Sequence, residues 1–147
     1  MEPLLAYLHY LSIIVLGAFL TAELVVCRPP LAPAQVRQLP RLDIVFFAAA
    51  LLALATGLLR LFFYAKGVAF YLPNVAFIAK MALYVAIAAI SIVPTRRFIG
   101  WRRALDAGGP PPDVETVSRV RRLLHLELAL LALMPLMAVL MARGIGR

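Results

Sequence analysis

Three basic residues lie inside apolar stretches of this chain, and basic side chains in such surroundings are candidates for a binding site. His9 lies near the start of the first apolar run, Arg60 near the end of the second and Lys80 near the start of the third. If the runs cross a membrane in alternating directions, all three residues lie near the same membrane surface. A charged side chain at such a depth in a bilayer is unfavourable by roughly 2.5–3.5 kcal/mol even on lenient insertion scales. Each residue therefore reaches the headgroups, pairs with an opposite charge, or serves a binding site.

These side chains could bind an anionic ligand that also contains a metal to which an imidazole nitrogen can coordinate. A neutral His9 can offer a lone pair to a metal, and Arg60 and Lys80 can hold carboxylates. A haem or porphyrin presents both groups to a protein. We therefore predict haem b or porphyrin as cofactor and His9 as its metal ligand. The predicted catalytic residues are His9 and Lys80, and the predicted cofactor-binding residues are His9, Arg60, Lys80 and Tyr84.

Each of these basic residues also has an ordinary structural use, and these alternatives stay open. Arg60 lies within a turn of the expected helix end, and Lys80 lies about 9 Å inside the next helix. Both side chains can therefore extend to the headgroups. His9 lies between Tyr7 and Tyr10, where it can bond to a neighbour at the membrane surface.

The acidic residues of the apolar runs lie near the opposite membrane surface from His9, Arg60 and Lys80. This second layer of polar residues holds Glu23, Asp43 and Glu127, together with His125. We expect the two glutamates to pair with arginines of that layer, namely Arg97, Arg121 or Arg122. His125 and Glu127 point about 200° apart on an ideal helix, so they do not serve one site. His9 and His125 are separated in depth by about 20 Å, given the bilayer thickness, too far to ligate one haem.

Composition assigns the chain to the membrane. It has 147 residues, 64% of them hydrophobic and 15% charged, which is more apolar side chain than a soluble domain of this size can bury. We therefore predict an all-α integral membrane protein, with one transmembrane domain over residues 1–147. The net charge of +8 indicates membrane topology and anionic headgroups rather than nucleic acid. The single cysteine, Cys27, excludes an intrachain disulfide.

Four apolar runs predict an antiparallel up-down four-helix transmembrane bundle. The predicted helices cover residues 3–26, 43–63, 74–93 and 114–142, with Asp43 as the N-cap of the second. Residues 95–107 carry Phe98, Trp101 and Leu105 on one face and arginines on the others. This pattern predicts a cytoplasmic interfacial helix between helices 3 and 4, closed by Gly108 and Gly109.

Basic residues in the connectors predict the orientation. The first and third connectors, with the start of helix 4, carry ten arginines: Arg28, Arg37, Arg41, Arg96, Arg97, Arg102, Arg103, Arg119, Arg121 and Arg122. The other side carries three basic residues, Lys66, Arg143 and Arg147. The positive-inside rule places the ten in the cytoplasm, so both termini are predicted to be periplasmic in a bacterial inner membrane.

Four segments carry a family resemblance: LAYLHYLSI, ATGLLRLFF, AKMALYV and RRLLHLELALLALMPLMAVLMARG. Over essentially the whole chain they resemble a bacterial family of small four-helix membrane proteins of unassigned function. More distantly, a histidine early in helix 1 and a lysine early in helix 3 are similar to the HemJ-type membrane protoporphyrinogen oxidases and to CopD-like membrane domains. That resemblance implies haem or porphyrin handling by His9 and Lys80. This chain has Ile78 where the HemJ pattern often has a histidine.

Two classes of function follow from these observations. The leading hypothesis is a HemJ-like oxidoreductase that binds haem or porphyrin and passes electrons to a quinone or to a respiratory or tetrapyrrole-pathway membrane protein. The alternative is a non-catalytic membrane subunit or assembly protein without a cofactor, possible also as a homo-oligomer. Its helices would associate through the small-residue ridges Ala49, Ala53, Gly57 and Ala82, Ala86. A small transporter with Lys80 in a water-filled path is a third hypothesis.

Overall fold

The computed structural model describes residues 1–146, which form α-helices joined by short connectors. The helices are α1 (Glu2–Val26), α2 (Pro33–Phe63), α3 (Val68–Tyr71), α4 (Val75–Asp106) and α5 (Val114–Ala142). Helices α1, α2, α4 and α5 are long and apolar enough to cross a membrane. The prediction of an all-helical, membrane-spanning chain is thus confirmed. Arg147, which entered the count of basic residues, lies outside the described residues.

Helix α2 begins well before the predicted start at Asp43. Its first residue is Pro33, a position at which the N–H that proline lacks has no helical partner anyway. The side chain of Gln35 accepts a hydrogen bond of 2.9 Å from the N–H of Ala32, which stabilises this start. Pro40 is accommodated inside the helix. Asp43 is therefore no N-cap but a buried residue about three turns into α2.

The predicted interfacial segment is a continuation of α4 rather than a separate helix. Helix α4 passes through Pro94 and ends at Asp106. Phe98 is fully buried, its ring centroid 5.8 Å from that of Trp101, and Leu105 packs against the same core. The apolar face thus contacts the protein interior, not the lipid boundary. The predicted glycine closure is present, since Gly108 follows the helix with a φ of 76°.

Contacts between the helices bring early residues of one beside late residues of another. His9 of α1 bonds to Ala53 of α2, and Arg121 of α5 bonds to Cys27, which follows α1. The N–H of Val75, the first residue of α4, lies 2.9 Å from the carbonyl oxygen of Gly146 after α5. We call the end of the molecule that holds residues 27–32 and 107–113 the proline-rich end. The opposite end, which holds residues 1, 64–74 and 143–146, is the terminal end.

The hydrophobic core is concentrated towards the proline-rich end. Its fully buried members include Leu20, Leu39, Phe98, Val117 and Leu124. Towards the terminal end the packing is more open, and the three predicted site residues there are half-buried. The fold therefore leaves His9, Arg60 and Lys80 partly accessible near the terminal end and buries Glu23, Asp43 and Glu127 nearer the proline-rich end.

Candidate functional site

The three basic residues predicted from the sequence meet at the terminal end. His9, Arg60 and Lys80 come from α1, α2 and α4. His9 interacts electrostatically with both cations, and Lys80 interacts with Arg60. Three helices thus contribute basic side chains to one half-buried cluster.

The orientation of the His9 ring is set by helix α2. Its Nδ1 lies 3.0 Å from the carbonyl oxygen of Ala53 and 3.1 Å from Oγ1 of Thr56. The Ala53 carbonyl can only accept a hydrogen bond, so Nδ1 carries the proton that is donated to it. In the neutral imidazole the lone pair is then on Nε2. This is the tautomer of histidines that bind a metal through Nε2 while a backbone carbonyl orients the ring.

Arg60 and Lys80 supply positive charge that no carboxylate of residues 1–146 neutralises. The Cζ atom of Arg60 lies 5.8 Å from the ring centroid of Tyr10, a weak cation–π contact. The salt bridges within residues 1–146 join Arg37 and Arg102 to Asp106 and Arg119 to Glu115, so neither Arg60 nor Lys80 takes part in one. The cluster therefore suits an anionic group from outside the protein.

Tyr84 uses its hydroxyl group within the protein. It donates a hydrogen bond of 2.9 Å to the carbonyl oxygen of Ala50, which ties α4 to α2. The phenol lies half-buried on the same face of α4 as Lys80, as the helical spacing predicted. Its contact with a cofactor stays a prediction.

A second polar cluster, of carboxyl groups, lies nearer the proline-rich end. Glu23 and Glu127 are each 1% exposed and Asp43 is 5% exposed. They come from α1, α5 and α2, and Glu23 interacts electrostatically with both Asp43 and Glu127. Asp43 also neighbours Thr95 of α4. All four long helices thus contribute a polar side chain to this cluster.

The predicted ion pairs of Glu23 and Glu127 with arginines are wrong. The guanidinium of Arg121 instead donates to the carbonyl oxygens of Leu24 and Cys27, the latter at 3.0 Å. Arg97 and Arg122 are exposed. The carbonyls at the end of α1 lack helical partners, and this makes them acceptors for a nearby cation. The separation of His125 from Glu127 is confirmed, because His125 is exposed and Glu127 is buried.

A protein family model matches this chain over residues 1–146. The chain belongs to the family described as "Predicted membrane protein (DUF2214)". No curated protein and no solved structure matches it. The predicted membership of an uncharacterised membrane protein family is confirmed, while the similarity to HemJ-type and CopD-like proteins stays a prediction.

The carboxyl cluster of this DUF2214 protein could be predicted only in part from the sequence. The helical repeat aligns Ser12, Leu16, Leu20 and Glu23 on one face of α1, and all four residues are buried. Asp43 was missed as a partner because the prolines before it indicated a loop that would end there. Once α2 is extended to Pro33, Asp43 and Phe46 share its buried face.

Proposed function

We propose that the protein spans a bacterial inner membrane four times as an antiparallel up-down bundle, with both termini in the periplasm. The bundle is supported by the contacts of His9 with Ala53 and of Arg121 with Cys27. The orientation is supported by the ten arginines of the proline-rich half, which the positive-inside rule assigns to the cytoplasm. The basic cluster then lies in the periplasmic half of the bilayer.

Within this arrangement the basic cluster binds haem b or a porphyrin. The observation that carries this proposal is the hydrogen bond between Nδ1 of His9 and the carbonyl oxygen of Ala53. It orients the imidazole so that Nε2 presents its lone pair beside two cations that form no salt bridge within residues 1–146. The donor set thus fits a ligand with an electrophilic metal and carboxylates.

Each residue of the cluster has a distinct role. His9 offers Nε2 as a ligand, and α2 prevents the ring from rotating. Arg60 and Lys80 hold the propionates and reduce the unfavourable free energy of placing carboxylates in the bilayer. When bound, haem would supply one-electron chemistry, with a quinone or a respiratory or tetrapyrrole-pathway membrane protein as the electron partner.

The experiment is an absorption spectrum of the detergent-purified protein, produced with haem precursor and then titrated with haemin. We expect a Soret band that is lost in His9→Ala and retained in His125→Ala. The latter is the matched control because His125 is exposed. Lys80→Gln and Arg60→Gln should weaken haemin binding while the band position of the bound form is unchanged. A folded, monodisperse wild type that stays colourless after haemin addition would overturn the proposal.

The alternative of a non-catalytic subunit is supported by the small-residue ridges. Ala49 and Ala53 are buried, and Gly57 lies against the His9 ring, so the first ridge packs helices within the chain. Ala82 of the second ridge is exposed and so is available to another chain. Native mass spectrometry from membranes tests this function: a defined heteromeric or homomeric complex together with a colourless protein would favour it.

A further inference from the structure

The carboxyl cluster formed by Glu23, Asp43 and Glu127 has no part in the proposed tetrapyrrole site. One oxygen of Glu23 and one of Glu127, Oε1 in both, are buried with no hydrogen-bond partner within residues 1–146. Each side chain is 1% exposed. Negative charge on a buried carboxyl oxygen without a hydrogen-bond partner is strongly unfavourable, and the side chain that Glu23 does contact, Asp43, is itself a carboxyl group. The unpartnered oxygens therefore indicate that the cluster binds something that removes negative charge.

No basic side chain of the described residues supplies that compensation. The charged and titratable groups near the cluster include Arg121 of α5 and Cys27 after α1. Arg102, Arg103 and Asp106 of α4 line the same groove as Asp43. Arg121 is used by the carbonyls of Leu24 and Cys27. Arg37 and Arg102 pair with Asp106. Arg103 is an exposed residue near the end of α4, and the groups that interact electrostatically with Glu23 and Glu127 are carboxyl groups.

A metal ion is not the expected ligand. Residues 1–146 contain no group of three or more His, Cys, Asp or Glu side chains with a geometry that could hold one. A proton, in contrast, needs only one carboxyl oxygen. A protonated carboxyl group then donates its O–H to a neighbouring carboxylate, so one proton can satisfy two oxygens. Carboxyl groups that share a site in this way bind protons as a unit.

A cavity connects one member of the cluster with the surface. It is a groove of about 600 Å³ between α2 and α4 that is open along its side, where Ile44 and Leu51 are exposed. Asp43 and Thr95 line it, with Phe47 and Leu51 towards the terminal end and Arg102 and Asp106 towards the proline-rich end. The side chains of Arg102 and Asp106 are about half exposed, at 48% and 53%, so water reaches that end. Glu23 and Glu127 do not line the cavity, which leaves Asp43 as the member it serves.

We propose that Glu23, Asp43 and Glu127 form a proton-binding site, in which Asp43 exchanges protons with water through the α2–α4 cavity. The carboxylate of Asp43 forms an O–H bond to a proton of hydronium, whose own O–H bond breaks and leaves water. Asp43 then passes this proton to Glu23, so that Glu23 becomes the acid and Asp43 becomes the carboxylate again. Release reverses these steps, and no oxidant or reductant is involved. Glu127 shares the negative charge that remains. This inference does not depend on tetrapyrrole binding.

Labelling with N,N′-dicyclohexylcarbodiimide tests this site, because the reagent enters bilayers and reacts with protonated carboxyl groups. The carboxyl proton moves to a carbodiimide nitrogen, the carboxyl oxygen bonds to the central carbon, and an acyl shift leaves a stable N-acylurea without a leaving group. The full-length protein in liposomes would be labelled over a pH series and mapped by peptide mass spectrometry. We expect an adduct on Asp43, with labelling that falls about tenfold per pH unit above the titration midpoint. Glu115, with a side chain 71% exposed, is the internal control that stays unlabelled.

Two variants separate the access path from the cluster itself. Ala48→Trp places a large side chain in the cavity that Ala48 lines, and we expect it to slow labelling of Asp43 severalfold. Ala88→Trp is the matched control, since Ala88 is exposed on α4 and does not line the cavity. Equal labelling rates in the two variants would overturn the proposed path.

Infrared spectroscopy keeps the proposal testable if a variant fails to fold. The wild type in membranes should show a protonated-carboxyl C=O band that shifts in ²H₂O and decreases as the pH rises. Glu127→Gln should alter that band, while Glu115→Gln should not. A wild type without such a band at any pH, or without an adduct on Asp43, would refute the proton-binding site and leave the tetrapyrrole proposal unaffected.

Discussion

The imidazole of His9 packs directly on the backbone of Gly57. A methyl group at position 57 would lie 3.1 Å from Cε1 and 3.5 Å from Nδ1 of that ring. The absence of a side chain on α2 therefore lets the ring approach closely enough to bond with the carbonyl oxygen of Ala53. Packing and ring orientation are coupled through this one glycine.

Gly57→Ala should displace the His9 ring and destabilise the α1–α2 contact. Overpacking of this kind costs about 1–3 kcal/mol, so we expect a lower melting temperature in detergent and weaker haemin binding. Gly17→Ala is the control, because its methyl would meet Cδ2 of Leu131 at 3.8 Å, an ordinary contact. The interpretation fails if both variants melt at the same temperature and bind haemin equally.

Arg121→Gln should weaken the attachment of α5 to the end of α1. Hydrogen bonds from a charged donor contribute about 1.5–3 kcal/mol, and Arg121 makes two of them to backbone carbonyls. Arg122→Gln, at the exposed neighbouring position, should change stability by less than about 0.5 kcal/mol. Thermal or denaturant unfolding in detergent gives both values. A loss of stability as large in the Arg122 variant would contradict this assignment.

The start of α5 should loosen in acid. Hydrogen bonds from the hydroxyl and N–H groups of Thr116 to the carboxylate lower the pKa of Asp113. Because the pKa is lower in the folded state, the stabilisation is present above the unfolded pKa and is lost as the pH falls through the folded one. Hydrogen exchange at the N–H of Thr116, corrected for intrinsic rates, should accelerate over that range.

Asp113→Asn is the control for this pH effect. Asparagine keeps a side-chain acceptor at the N-cap but does not titrate. Protection of Thr116 in this variant should therefore be independent of pH in the acidic range. If the wild type and Asp113→Asn respond equally to acid, the carboxylate of Asp113 is not the cause.

Cys27 should be unreactive in the folded protein. Its side chain is fully buried, and burial raises the pKa of its thiol to about 11, although Arg121 acts in the opposite direction. The thiolate is the reactive form. The smaller thiolate fraction of Cys27 at neutral pH should by itself make maleimide labelling about a hundredfold slower than that of an ordinary thiol. Since the folded pKa is the higher one, the folded state loses stability as the pH rises towards it.

An exposed cysteine in the same region provides the comparison for Cys27. Arg28 is exposed, so Cys27→Ser combined with Arg28→Cys moves the thiol to the surface by one residue. We expect rapid labelling of this variant and slow labelling of the wild type, followed by mass spectrometry. Rapid labelling of the folded wild type would show that Cys27 is not buried.

Sequence patterns alone were enough to predict which faces of the helices are buried. On α4, Ile87 and Ser91 are buried and Lys80 and Tyr84 half-buried, as a repeat of 3.6 residues requires. On α2 the same repeat aligned Thr56 with Ala53 and Ala49, and all three are buried. The meeting of His9, Arg60 and Lys80 could be anticipated because His9 and Lys80 lie near the starts of their helices and Arg60 near the end of its helix. In successive spans of alternating direction these positions fall on the same side of the membrane.

Hydropathy and helical periodicity thus determined the four spans and the inward faces, because both properties are local and are set by solvent and by backbone geometry. Only the tertiary structure decided what those faces meet. It alone showed that α2 extends through Pro40 and that Arg121 is used by backbone carbonyls. It also showed that Glu23, Asp43 and Glu127 gather without a paired cation from the described residues. These outcomes depend on the distances between groups that are far apart in the chain, and periodicity within one helix carries no information about such distances.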